Sequence, residues 1–207
     1  MTEIELIIDL HKNTERQGPG SEKDTLRALD LIDLAEKSQV KLVDIGCGSG
    51  GQTITLAQNL NGLITAVDLF PEFLDELEGK SHKLGFDDRI NTLKTSMDDL
   101  PFEPGEFDII WSEGSIYNIG FAKGIQYWKK FLKKDGYLAL SEITWTTNSR
   151  PQEIESFWTS KYTEIDTASN KIGALENNGF SLVGYFTGLG VTVHSFINWS
   201  RRNFLTL

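Results

Sequence analysis

Asp44, Gly46, Gly48, Gly50 and Gly51 crowd into KLVDIGCGSGG (41–51), and two further acids follow at wide spacing, Asp68 in AVDLF and Glu113 in WSEGS. Glycines at 46, 48 and 51 satisfy the G-x-G-x-x-G pattern, in which bare backbone approaches a ligand at a helix N-terminus. Such a turn suits a phosphate, because orphan amides and the helix dipole both favour negative charge. Asp68 lies 22 residues beyond Gly46 (68 − 46). At that distance an acid on the next strand accepts hydrogen bonds from both hydroxyls of a ribose. A helix cap at Asp68 and an empty tight turn at 46–51 are the plain alternatives, and the two features together favour adenosine. Cys47 reads as a small packing residue lining the turn. Glu113 is the best-placed carboxylate for removing a proton. Contact with a ligand or a backbone amide explains it equally well, so it counts as a binding residue.

These residues need elements to position them. Val40 opens an alternation of short apolar runs with amphipathic segments. VKLVDI, LITAVD, INTLKT, FDIIWS and GYLALSEITW read as strands. Helices are expected near 52–60, over PEFLDELEGKSHKLG with Pro71 in its first turn, over FAKGIQYWKKFLKK, and at 151–160 and 168–178. Before Val40, helices are expected at 3–12 and 22–37, the second capped by Ser21, with RQGPGS as the loop between them. Strands alternating with helices imply right-handed crossovers and a mostly parallel, doubly wound α/β sheet covered on both faces. Ligands then bind beyond the carboxyl ends of the strands, which here carry Asp44, Asp68, Ser96 with Met97, and Ser112 to Gly114. After Glu176 there is no Asp or Glu. VTVHSFI within that tail is a possible strand, and the composition shift reads equally as an altered terminus.

Composition narrows the functional classes. The 207 residues suit one domain, with 39% hydrophobic and 24% charged residues as in ordinary globular chains. No apolar run approaches the roughly 18 residues of a membrane span, and MTEIELIIDLHKN lacks the basic start of a secretory signal. A cytoplasmic protein is therefore expected, and the single cysteine fits a reducing compartment. The net charge of −10 repels polyanions, so nucleic acid is not expected as a partner. Lysines at 129–130 and 133–134 read as a solvated helix end. His11, His82 and His194 show no metal-ligand spacing, so no metal is expected.

The order of motifs resembles class I S-adenosylmethionine-dependent methyltransferases. D44-I-G-C-G-S-G50, the acid at 68, SMDDLPFEPGEFDIIWSEG and FLKKDGYLAL look like that family's successive motifs, over roughly Val40 to Trp145. Within the superfamily the likeness is greatest to the branch of ubiquinone and menaquinone methyltransferases and related small-molecule enzymes. The resemblance implies a Rossmann-like core at 40–187, a helical cover at 1–39 and an atypical tail at 188–207. It implies that Asp44 fixes the glycine loop and the amino-acid end of S-adenosylmethionine. Gly46 and Gly48 pass close to the cofactor, Asp68 holds its ribose, Leu69 packs on adenine, and Ser96 with Met97 borders the adenine edge. The family commonly has Asp then Ala where Ser96 and Met97 stand, and a hydroxyl bonds the adenine amine less strongly. A sulfonium and a zwitterionic tail give an acid at Asp44 an electrostatic use that a dinucleotide lacks.

The expected reaction is in-line methyl transfer to a small organic acceptor, with no obligatory catalytic residue. Tyr117 and Trp145 are candidate acceptor contacts, and Trp158 and Tyr162 could wall the same pocket. Asn-Pro-Pro-Tyr or Asp-Pro-Pro-Tyr after the fourth strand would suit a nucleobase amine, and this chain has Ser112, Glu113, Gly114 and Ser115 there. A nicotinamide-dependent oxidoreductase and a non-catalytic S-adenosylmethionine-binding module remain alternatives.

Overall fold

The computed structural model describes residue 14 and residues 16–34, 39–188 and, as backbone, 194–200. The expected helix at 3–12 lies outside them. Strand β1 (Val40–Ile45) buries five of its six residues, as a central strand covered on both faces must. β2 (Gly62–Asp68), β3 (Ile90–Lys94), β4 (Phe107–Glu113) and β5 (Leu132–Trp145) complete a parallel set. β4 is buried at all seven positions. The sheet runs β3-β2-β1-β4-β5 and continues through β8 (His194–Ser200) to β7 (Ser181–Gly188). β8 is antiparallel to both its neighbours, and the two-residue β6 (Asp166–Thr167) pairs with the end of β5. The chain reverses direction across the sheet between β1 and β4, which opens a crevice at the carboxyl ends of the strands. This is the Rossmann-like, doubly wound fold expected.

Helices cover both faces. α1 (Glu22–Leu29) starts at Ser21, whose side chain accepts from the Asp24 amide at 3.2 Å. It ends at Leu29 rather than continuing to 37, and residues 35–38 of the longer expected helix are outside the described set. α2 (Gly51–Asn59) follows the glycine turn, and α3 (Pro71–Leu84) has Pro71 in its first turn and Gly85 in the left-handed conformation after its last. α4 (Phe121–Trp128), α5 (Gln152–Lys161) and α6 (Ala168–Asn177) follow. The helix expected over FAKGIQYWKKFLKK stops at Trp128. Lys129–Phe131 tighten into a 3₁₀ turn, and Leu132, fully buried, already pairs with Phe107 as the start of β5. Packing thus overrides local helix propensity there. Lys133 is consequently not on a helix end, and its Nζ pairs with the buried Asp108 carboxylate at 2.9 Å.

One core, around Ile110, Phe121, Trp128, Leu138 and Leu140, lies beneath α4 and α6. The other, around Leu42, Leu56, Leu77, Ile109 and Trp111, lies beneath α1, α2 and α3. The SLVGYFTG segment forms β7 although it was not expected as a strand. Its side chains are exposed or half-buried except Phe186, so it lacks the buried apolar run of the central strands.

Candidate active site

The glycine turn is held by main-chain bonds to the neighbouring strand, with the amides of Gly46 and Cys47 donating to Val67 O at 2.8 and 3.0 Å. Gly46 has φ +75°, and a Cβ there would stand 2.4 Å from Ser115 Oγ, so both conformation and space require glycine. Ser115 Oγ in turn donates to Ile45 O at 2.9 Å, which ties the end of β1 to the segment after β4.

Asp44 lies beneath this turn, fully buried. Its Oδ2 accepts from Thr53 Oγ1 at 2.6 Å and its Oδ1 from Gln52 Nε2 at 3.4 Å, so it secures the first turn of α2. Burial pushes its carboxyl up to about 7 against those hydrogen bonds. Gln52, not Asp44, reaches the cavity above.

That cavity holds about 860 Å³, within the ~300–1,000 Å³ usual for small-molecule clefts. Gly46, Cys47, Gly48, Asp68, Leu69, Ser96, Met97, Glu113 and Tyr117 all line it. Asp68 ends β2 with its Oδ2 accepting from the Gly48 amide at 2.9 Å and its Oδ1 from the Phe70 amide at 3.0 Å. Burial raises its pKa, opposed by those amides. Leu69 beside it is 54% exposed, an apolar surface left for a flat ligand to cover. Cys47 is buried, and burial together with the Asp44 and Asp68 carboxylates pushes its thiol well up, which disfavours a reactive thiolate.

Ser96 Oγ donates to Asp98 Oδ1 at 2.5 Å, and Lys123 Nζ pairs with Asp98 Oδ2 at 2.7 Å. Lys123 and Ser96 together hold the Asp98 carboxyl below its ordinary range. Asp98 also lines the cavity, so this edge carries a carboxylate two positions after Ser96. Trp128 Nε1 donates to Met97 O at 2.8 Å and fixes this segment against α4.

Glu113 is 6% exposed and its oxygens are occupied. Oε1 accepts from Thr25 Oγ1 at 2.8 Å and Trp111 Nε1 at 2.9 Å, and Oε2 pairs with Arg16. Burial raises its pKa while the Arg16 charge opposes that shift. The carboxylate therefore anchors the loop 16–19 over the crevice. Gln17 strengthens the anchor, accepting from the Ser49 amide at 2.8 Å and donating to Ser49 Oγ at 2.6 Å. Arg16 and Gln17 both line the cavity.

Tyr117 is 46% exposed and meets the Tyr162 ring edge-on, with centroids 6.0 Å apart. Trp158, Lys161 and Tyr162 complete that wall. Trp145 is not among the lining residues. It packs against the core beneath α4, and the Arg150 guanidinium sits 4.2 Å from its ring centroid. β5 extends one pleat beyond the crevice at that point, which sequence spacing does not reveal.

Residues 43–140 match the family model described as a methyltransferase domain. Among curated relatives, 27-O-demethylrifamycin SV methyltransferase of Amycolatopsis mediterranei is 25% identical over 104 residues, 50% of this chain and 38% of that protein. Phosphoethanolamine N-methyltransferase of Triticum aestivum is 25% identical over 166 residues, 78% of this chain and 31% of that protein. The chain thus spans about a third of the length of these relatives. Geranyl diphosphate C-methyltransferase of Streptomyces coelicolor A3(2), solved with S-adenosyl-L-homocysteine, superposes with a TM-score of 0.69 at 17% identity, covering 86% of this chain and 78% of that one. The fold is that of methyltransferases.

Proposed function

We propose that this protein is an S-adenosylmethionine-dependent methyltransferase that transfers the methyl group in line to a small organic acceptor. The observation that carries the reading is Asp68, at the tip of β2, facing a cavity beside the exposed Leu69 and the Gly46–Gly48 turn. These residues fit an adenosyl ligand: two carboxylate oxygens for a ribose diol, an uncovered leucine for adenine, and the Ser96–Asp98 edge for the adenine amine. The cofactor supplies an already activated methyl group. Asp44 acts from below by holding α2 and the turn, and the Arg16–Glu113 pair acts from above by holding the covering loop. Holding two reactants in line accounts for up to ~7 to 11 kcal/mol of a barrier, and loop 16–19 helps to exclude water.

No proton abstraction is assigned to Glu113, since its oxygens accept three bonds from Thr25, Trp111 and Arg16. The motif order at 44–50 and 96–102 supports a place in the ubiquinone and menaquinone-like branch. The net charge of −10 supports a small molecule over nucleic acid. No described helix is long and apolar enough to cross a membrane, and a cytoplasmic setting is part of the proposal. Calorimetry with S-adenosylmethionine and with NAD tests the reading. Saturable binding of the methyl donor alone is expected, and binding of NAD alone overturns it. Tight donor binding with no methyl transfer to any compound in a metabolite extract would instead indicate a binding module.

A further inference from the structure

The sheet order divides the cavity. Residues after β1, β2 and β3 form one half, with Asp68 and Asp98. Residues beyond Gly114 and after β5 form the other, where Tyr117, Ile119, Ile143, Trp158 and Tyr162 give an apolar and aromatic wall. In this second half the lining side chains carry a single charge, that of Lys161. Lys161 is exposed and makes no ion pair among the described residues, whereas Arg150 near the start of the same helix pairs with Glu155 at 3.1 Å.

We propose that this half takes the methyl acceptor, that the acceptor is an anion with a flat apolar body, and that Lys161 selects its charge. The inference rests on the methyltransferase reading for its role but concerns different residues. α5 buries none of its own residues, yet turns Trp158 and Lys161, one helical turn apart, toward the cavity. The half-buried Trp158 and the edge-on Tyr117–Tyr162 pair offer ring faces to a planar body.

A cationic acceptor could also rest on these rings, but no carboxylate lines this half to balance its charge. Of the two carboxylates whose charge reaches Tyr162, Glu164 does not line the cavity and accepts from the Ala122 amide at 2.9 Å, and the other is Glu142. It is wholly buried, accepts from Tyr162 Oη at 2.5 Å and pairs with Lys171 at 3.1 Å, so its charge is already compensated. A cation would therefore lie beside Lys161 in a half of the cavity that no carboxylate lines. Lys161 also ends its helix, where a lysine favours the dipole. That role alone would leave ligand charge without effect, which makes the two distinguishable.

The test uses the full chain and three probes sharing one ring system: 2-naphthoate, 2-naphthamide and 2-naphthylmethylammonium, titrated calorimetrically with and without saturating S-adenosylhomocysteine. Naphthoate is expected to bind at least about tenfold more tightly than the amide, and the ammonium more weakly than either. Lys161→Glu should abolish or invert that order, and Lys161→Arg should keep it. Donor binding by Lys161→Glu should match the unaltered protein, which shows that the variant is folded. The proposal is overturned if the neutral or cationic probe binds as tightly as the anion, if no probe saturates, or if Lys161→Glu leaves the order unchanged. Failure of the methyltransferase reading would appear separately, as absent donor binding in the unaltered protein.

Discussion

The amide of Gly48 donates to Asp68 Oδ2 at 2.9 Å, so the glycine turn after β1 and the acid ending β2 are one unit. A ribose bound at Asp68 would meet a carboxylate already oriented by two amides, with its lone pairs directed by the Gly48 and Phe70 bonds.

Asp68→Ala is expected to weaken S-adenosylmethionine binding by about 1.5 to 3 kcal/mol, the usual worth of hydrogen bonds to a charged group. That corresponds to roughly 10- to 150-fold in Kd. Asp68→Asn should fall between, because an amide oxygen still accepts one bond while its NH₂ opposes the donors around it. Calorimetry reads both, and unchanged affinity in Asp68→Ala removes the ribose assignment.

Asp44 gives a pH signature. Its carboxyl stands near 7 in the folded protein against an ordinary 3.8, so the folded state holds a proton that the unfolded chain has released. Stability should therefore fall as pH rises from about 4 to about 7, by as much as ~4 kcal/mol at ~1.36 kcal/mol per pKa unit. Asp44→Asn removes the ionisation while leaving an acceptor for Thr53. Its denaturation midpoint relative to the unaltered protein should thus be higher at pH 8 than at pH 5. A difference that does not depend on pH would show that Asp44 is not the titrating group.

Glycines separate conformational need from mere presence. Gly46→Ala adds a Cβ 2.4 Å from Ser115 Oγ at a φ of +75°, and it should cost at least about 2 kcal/mol of stability. Gly79 lies exposed within α3 with nothing within 4 Å of its added Cβ. Gly79→Ala should stabilise by roughly 0.5 to 1 kcal/mol. Urea denaturation of both variants checks the contrast, and equal effects would contradict it.

The parallel strands β1, β2 and β4 were legible because a strand buried on both faces is a nearly continuous apolar run, as in VKLVDI and FDIIWS. The positions of Asp68 and the glycine turn followed from the order of those strands. Other features depended on contacts that no local pattern encodes. The end of α4 at Trp128 is set by Leu132 pairing with Phe107. Asp98 enters the cavity through a turn whose exit direction is fixed by the Trp128 bond to Met97 O. Trp145 and Trp158 looked alike in sequence, and only the length of β5 and the facing of α5 separate them. The pairing of Arg16 with Glu113 spans 97 positions, beyond any spacing rule.

Lys171 offers the sharpest test of the wall that holds Tyr162. Its side chain is 4% exposed, and its ammonium pairs with Glu142 at 3.1 Å, donates to Tyr162 Oη at 2.8 Å and lies 4.2 Å from the Phe121 ring centroid. Burial raises the Glu142 pKa and lowers that of Lys171, and each charge opposes the shift of the other. Lys171→Met leaves the carboxylate buried without its counter-ion, which should cost about 3 to 5 kcal/mol at neutral pH. Because the orphaned Glu142 would keep its proton to higher pH in the folded state, the deficit should shrink as pH falls from that raised value toward the ordinary carboxyl range and level off below it. Lys171→Met combined with Glu142→Leu removes both charges and should recover most of the loss, since apolar replacement of a whole buried pair is often close to neutral. Denaturation of the single and double variants at pH 5 and pH 8 measures this. A double variant as unstable as the single one, with no pH dependence in either, would mean that the pair's packing rather than its charge supports Tyr162.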